Sequence, residues 1–408
     1  MSATQQLSAR ELKPLPSRAE IIGVLGLLSS LGPLGVDMYL PTLPTLARTF
    51  GATPGQVQLT LTSFLFGFSL GQSIIGPLAD RFGRRKPVCF GVLLFILSSA
   101  ACPFATSIYH LVGLRFLQAL GSCSGIVTAR AIARDVFTPA ETRQVFATLV
   151  LFIAVLPMIA PLLGGYLLTA FGWQAPFIVM AVLASITLAV MVWRVPETLK
   201  PEYVLPLSAR RVASIYTILF KDRLFVLTSL ANGVAMGGMF AYIAGSPFVF
   251  ITLYGVPAGS FGYYFGMNVI GMVSGSQIAG RILHNTNPRT VLRICTTVQV
   301  LAGSALIAAA ATGFGGILGI APALFVYMFC IGVLMPTASA MALANHPEIA
   351  GSASALYGTL QFIFAAISTG ILSSFGDGTA LPMALVIAGC GLIAFLASRP
   401  LPAPPAAS

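Results

Sequence analysis

Charge is what this sequence has least of. Only 8% of its 408 residues are Asp, Glu, Lys or Arg, and 11 acids stand against 22 Lys and Arg. A soluble domain carries about 25% charge. A chain that is 57% hydrophobic and so poor in charge cannot build a surface for water, and most of it must face lipid. Histidine is as scarce. His110, His284 and His346 all fall near the ends of apolar runs, in no metal-type spacing, and no catalytic set lies within the runs, so an intramembrane enzyme is disfavoured. Cys89, Cys102, Cys123, Cys295, Cys330 and Cys390 sit inside apolar segments without a CxxC spacing, which argues for small apolar fillers rather than disulfides or a metal. No GxxxxGK[ST] loop is present to bind a nucleotide, and no soluble output domain that a sensor would need. The first 18 residues are polar, without an apolar core or a cleavage-like site, so the first apolar run reads as a membrane span and not a signal peptide.

What is present is a series of apolar runs. A span needs about 20 mostly apolar residues, and twelve stretches qualify: 19–44, 56–79, 86–105, 108–131, 143–168, 175–194, 223–250, 258–282, 290–311, 315–340, 350–374 and 379–398. The expected fold class is therefore all-α, with twelve transmembrane helices in two six-helix bundles. A polar tail (1–18) precedes the first bundle (19–194), a linker (195–222) with Pro196, Pro201 and Pro206 joins it to the second (223–398), and a tail (399–408) follows. The 41 glycines and 27 prolines are tolerated in lipid, where glycine lets helices approach closely.

The net charge of +11 gives topology, not nucleic-acid binding, because the basic residues lie in short gaps instead of one water-facing patch. Every Lys and Arg except Arg48 and Arg115 falls in a tail or gap on one side of the spans. By the positive-inside rule that side, with both termini, is cytoplasmic.

The halves resemble each other. A shift of 204 residues places Gly51 on Gly255, Gly67 on Gly271, Gly71 on Gly275, Gly76 on Gly280 and Arg85 on Arg289. Repeats of this kind mark transporter halves that rock about a shared central cavity.

Two charges lie deep within spans, Asp37 in GVDMYLPTLP and Arg115 in GLRFLQALGS. Each costs at least about 2.5–3.5 kcal/mol on insertion scales and requires a reason. Each is about seven residues from the outer end of its span, roughly 10 Å deep, so the two could face one cavity. One reading is a structural ion pair locking spans 1 and 4. The other is a proton site: burial disfavours a charged carboxylate, a nearby arginine favours it, and an arriving substrate alters either influence. Arg115 could tune Asp37, touch the ligand or serve local structure. Tyr39, Gln118, Asn232, Tyr242, Asn268, Gln277, Tyr357 and Gln361 could line a cavity or bond neighbouring helices, with Tyr39, Asn232, Tyr242, Asn268 and Gln361 joining Asp37 as the candidate substrate-binding set. Phe240, Phe248 and Phe362 could add an apolar wall. Asp37 corresponds to Ala241 in the second half, which lacks its own carboxylate.

Between spans 2 and 3 the sequence reads GPLADRFGRRK, from Gly76 to Lys86. Gly76 would allow close helix contact and Gly83 a tight turn. Asp80 would bond the N-terminus of span 11 at GSASAL, Arg84 would pair with Asp135, and Arg81 and Arg85 complete the basic loop. We read the loop as a gating latch. It resembles the signature loop of the major facilitator superfamily, G-x-x-x-D-[RK]-x-G-[RK]-[RK]. RFLQALG from Arg115 resembles that superfamily's fourth-helix motif, whose arginine is linked to proton transfer. APLLGG, with Pro161, Gly164 and Gly165, resembles the end of the antiporter motif G-x-x-x-G-P-x-x-G-G, although Leu156 and Ala160 replace two glycines. DMYLPTLP from Asp37, together with ARAIARD from Ala129, is similar to the Bcr/CflA branch of drug:proton antiporters.

The resemblance implies a proton-coupled exporter of small amphipathic drugs, phenicol- or bicyclomycin-like, in a bacterial inner membrane. Asp37 and Arg115 would couple protons to transport. It also implies no cofactor beyond the proton gradient, no enzyme activity, and small molecules, protons and membrane lipid as partners of a monomer. An uptake permease on the same fold is the alternative.

Overall fold

Ser17 opens the first helix with a capping box: its hydroxyl accepts from the Glu20 amide, and the Glu20 carboxylate accepts from the Ser17 amide at 3.0 Å. The computed structural model describes residues 17–199 and 209–401. The tail arginine Arg10 and the linker residue Lys200 therefore lie outside the described residues. The chain forms helices α1 (Arg18–Asp37), α2 (Leu43–Phe50), α3 (Pro54–Phe82), α4 (Arg85–Ala101), α5 (Ile108–Val136), α6 (Pro139–Phe171), α7 (Ala175–Arg194), α8 (Ala209–Lys221), α9 (Arg223–Pro247), α10 (Phe261–Asn285), α11 (Pro288–Thr312), α12 (Ile317–Leu343), α13 (Ala350–Phe375) and α14 (Leu381–Ser398). Among the described residues eleven stretches are long and apolar enough to cross a membrane. The twelfth long helix, α10, carries Asn268, Gln277 and several glycines and serines, which dilute its apolar character.

Span 1 is not one helix. It comprises α1 and α2, separated by a tight turn at Leu40–Thr42. Pro41 and Pro44 lack the amide hydrogens that a continuous helix would need, and the Thr42 hydroxyl bonds the Tyr39 carbonyl at 2.5 Å instead. The linker also differs from expectation. It contains the helix α8, whose Leu219 is buried with Phe225, Ala342, Ala353, Leu356 and Tyr357. The sequence ARRVASIYTILFK repeats its apolar residues at helical spacing, but the flanking prolines obscure that signal.

Within the first half, α3 and α4 pack on α5, and α1 packs on α5 and α6. The second half repeats this: α10 and α11 pack on α12, and α9 packs on α12 and α13. The glycines aligned by the shift of 204 do matching work. A side chain at Gly67 or Gly71 would run into α5 at Phe116 or Cys123, and one at Gly271 or Gly275 into α12 at Phe325 or Phe329. Gly51 and Gly255 both hold left-handed backbone, with φ of 58° and 69°. Gly76 departs from expectation, since open space surrounds it and no helix packs there.

The halves meet along two seams, α3 against α13 and α6 against α10. On the first seam the Ser69 hydroxyl donates to the Thr359 carbonyl (3.1 Å), Ser73 and Thr359 share a hydroxyl bond (3.3 Å), and the Thr62 hydroxyl donates to Thr369 (3.1 Å). At the end away from the arginine-rich gaps, Gly55 abuts the backbone of Ser373. The cavity left there between Gln58, Gly245, Phe248 and Met383 is about 10 Å³, room for about one water. Toward the arginine-rich end α1 exposes Leu27 at 42%, and Gly23 has nothing near it.

Candidate functional site

Asp37 is the last residue of α1 and only 4% exposed. Arg115, on α5, is fully buried. Their depths agree, because one Arg115 η-nitrogen donates to the Gly35 carbonyl at 2.5 Å, two residues before Asp37. Their directions do not. Two residues turn a helix by about 200°, so Gly35 and Asp37 lie on opposite faces of α1. Among the described residues neither charge takes part in an ion pair, and the anticipated Asp37–Arg115 lock is not formed.

Arg115 is instead caged within the first half. Its guanidinium lies 4.0 Å from the Tyr39 ring centre, 4.4 Å from Phe64 and 5.9 Å from Phe177. It also donates to Gln118, whose amide donates to Ser99 at 2.6 Å. The Gly35 carbonyl is one of the acceptors freed where α1 ends, and a cation there also meets the negative end of the helix dipole. Arg115 therefore acts as the cap of the broken span. Tyr39, expected to face the substrate, is fully buried beside Arg115 with its hydroxyl 3.2 Å from Thr60. Tyr39 stands just past the end of α1, on the side of the chain that Arg115 occupies.

Asp37 points away from Arg115, on the α1 face opposite Gly35. In the second half Tyr242 stands on α9 and Asn268 on α10. The Tyr242 hydroxyl accepts from the Asn268 amide at 2.9 Å, and its ring stacks on Phe265 at 5.7 Å. The Asn268 carbonyl oxygen is buried without a partner among the described residues. Tyr242 and Asn268 thus tie spans 7 and 8 together through a buried bond that leaves one polar atom of Asn268 open. Asn232 lies ten residues before Tyr242, roughly 15 Å along α9, and both of its buried amide atoms lack partners among the described residues. Gln361 is half-buried on α13, next to Phe362, whose ring lies 4.6 Å from Phe68 and 5.9 Å from Phe240. Phe248 lines the small cavity at the sealed end. Tyr357 packs with α8, and Gln277 is exposed.

The APLLGG stretch brings α6 onto the break in span 1. A side chain at Gly164 would occupy the place of the Met38 carbonyl, and one at Gly165 would press on the Ala258 backbone at the start of span 8. Pro161, about one turn earlier on α6, is also buried.

At the arginine-rich end Arg84 binds Asp135 at 2.9 Å, as expected, and Asp80 at 2.5 Å. The Asp80 carboxylate is 46% exposed and turned to Arg84, not to the start of span 11. The side chain nearest Gly351 there belongs to Arg134. Arg81 is exposed, with its guanidinium over the Phe82 ring at 5.4 Å, and Arg85 donates to the Val192 carbonyl at 2.7 Å.

Glu197 is the residue that sequence reasoning missed. Its carboxylate accepts from the Arg84 and Arg85 amides, at 2.8 and 3.0 Å, and so caps the start of α4. Partial burial raises its pKa, but amide bonds from Leu199, Arg84, Arg85 and Thr198 outweigh that and hold it below the usual glutamate value. Gly83, with φ of 87°, leaves the space that Glu197 fills. The only signal in the sequence was an acid directly after span 6.

Comparison with known proteins agrees with this architecture. A family model described as Major Facilitator Superfamily matches residues 25–369. The bicyclomycin resistance protein homolog of Haemophilus influenzae is 34% identical over 91% of this chain and 94% of its own. The chloramphenicol resistance protein of Pseudomonas aeruginosa is 30% identical over 90% of this chain and 87% of its own. The crystal structure of a bacterial homolog to the human lysosomal transporter Spinster, inward-facing and unoccupied, superposes with a TM-score of 0.75 over 95% of this chain and 98% of that one, at 14% identity.

Proposed function

Because the chain belongs to the major facilitator superfamily, and within it to the Bcr/CflA-type drug transporters, we propose that it exports small amphipathic compounds in exchange for protons. It is a multi-pass membrane transporter and not an enzyme. In our reading its arginine-rich end and both termini face a bacterial cytoplasm, and the sealed end faces outward.

One observation carries the reading: the Asp37 carboxylate is buried within a span and has no counter-ion among the described residues, while Arg115 is bound on the other face of α1. A buried carboxylate without a fixed counter-ion gains or loses its proton according to the water and charge around it. With the cleft open to the cytoplasm, a compound enters between the halves and the carboxyl gives up its proton. With the cleft open outward, the compound leaves and a proton returns. The Asn268 carbonyl oxygen lacks a partner among the described residues, so an incoming hydrogen-bond donor would relieve it. One carboxylate supplies little negative charge, which favours neutral or weakly charged ligands of phenicol or bicyclomycin type.

The test is transport in everted vesicles with an imposed pH gradient. Parent protein should accumulate chloramphenicol inside everted vesicles when their interior is acid, and D37N should not. Full gradient-driven transport by D37N would refute the proton role. Net transport in the opposite direction would make the protein an uptake permease.

A further inference from the structure

At the arginine-rich end of the first half, acids answer three of the arginines: Arg18 pairs with Glu141, Arg84 with Asp80 and Asp135, and Arg194 with Glu20. In the second half Arg289, Arg293 and Arg399 converge where α11 begins and α14 ends. Arg289 donates to the Leu401 carbonyl, Arg293 to the carbonyls of Ser398 (3.4 Å) and Arg399 (2.5 Å), and Arg399 to the Thr297 hydroxyl (2.9 Å). Among the described residues none of the three has a carboxylate within 4.0 Å, and residues 402–408 contain no acidic side chain.

Backbone carbonyls do not balance this charge. The C-terminus of α14 offers about half a unit of negative charge, against three guanidinium groups. Arg289 adds to the imbalance by standing in the first turn of α11, where the helix dipole is itself positive. Its ε-nitrogen is buried with no partner among the described residues.

The neighbouring surface indicates which anion fits. On α11, Arg293, Thr297 and Leu301 follow at four-residue intervals along one face. At the end of α14, Arg399, Leu396 and Leu392 follow at intervals of three and four residues, again on one face. The Arg399–Thr297 bond sets these two stripes side by side. Each starts at an arginine and runs into exposed hydrocarbon: Leu301 is 64% exposed, Leu396 58% and Leu392 47%.

We propose that this junction binds an anionic phospholipid. Its phosphate lies among Arg289, Arg293 and Arg399, and an acyl chain lies along Leu396, Leu392 and Leu301. Free phosphate would match the arginines but not the apolar stripes. The site requires only that the spans cross a bilayer, and is independent of what the protein carries.

Native mass spectrometry of the full-length protein, exchanged into phosphatidylglycerol or phosphatidylcholine, tests the proposal. Phosphatidylglycerol should be retained preferentially, and excess inorganic phosphate should not displace it. A surface arginine contributes about fivefold to anionic lipid binding, so R293Q/R399Q should retain roughly 25-fold less. Equal retention of the two lipids, displacement by phosphate, or unchanged retention in R293Q/R399Q would each overturn the assignment. If the double variant does not survive purification, R399Q alone, at an exposed side chain, should lose about fivefold, and no loss there is equally fatal.

Discussion

Replacing Arg115 by lysine keeps the charge and removes the planar fork. The fork makes two bonds at once, to the Gly35 carbonyl and to Gln118, and lies against the Tyr39 and Phe64 rings. An ammonium on the shorter, flexible stem can keep one of those bonds and little of the stacking. A hydrogen bond to a charged group contributes about 1.5–3 kcal/mol, and a desolvated cation–π contact up to about 2 kcal/mol. Losing one bond and part of the stacking should cost roughly 2–4 kcal/mol. For a chain of this size that lowers the melting temperature in detergent by several degrees. Efflux should fall in proportion to the remaining folded protein, with its pH dependence unchanged, because Asp37 is not bonded to Arg115. An R115K protein as stable as the parent would refute the capping role. An equally stable R115K that had lost only proton coupling would show that the guanidinium acts in transport and not in holding the fold.

Glu197→Gln removes a negative charge from the start of α4 and should destabilise by about 0.3–1 kcal/mol. The folded pKa of Glu197 is depressed, so its contribution is present above the unfolded value of about 4.3 and is lost as pH falls through the folded value. Parent and variant melting curves should therefore differ at neutral pH and converge in acid, and a difference that persisted in acid would contradict the assignment. Gly164→Val should push α6 off the Met38 carbonyl and abolish efflux without lowering expression. Normal efflux in that variant would mean the contact can be dispensed with. Leu219→Asp should release α8 from the second half, seen as protease cutting within residues 209–221 at least about tenfold faster, since a charge cannot stay in that apolar cluster unpaired. Unchanged cutting would show that α8 is held by something else.

Local signals in the sequence were readable and directional ones were not. The duplicated glycines of α3 and α10 follow from spacing along single helices, the Arg84–Asp135 pair from two span ends placed on one side, and the structure contains both features. Counting residues from span ends also gave Asp37 and Arg115 a common depth. It gave no azimuth, and the break at Leu40–Thr42 with the turn from Gly35 to Asp37 decides which way each side chain looks. Tyr39 was misplaced for the same reason. Glu197 stands 113 residues from the Arg84 amide it caps, and nothing in its neighbours points there. The α8 helix was obscured because three prolines made its surroundings read as extended linker.

The hydroxyl bonds of Ser69, Ser73 and Thr62 across the α3–α13 seam affect how the protein can move. Each contributes only about 1 kcal/mol net, a hydroxyl rotates freely to a new acceptor, and Thr62 and Ser73 already reach carbonyls of their own helix, at Gln58 (3.3 Å) and Ser69 (3.4 Å). A small slide of one helix past the other can thus exchange acceptors in succession without leaving a donor stranded. Such a joint resists separation yet yields to tilting, as the exchange of access proposed above would require.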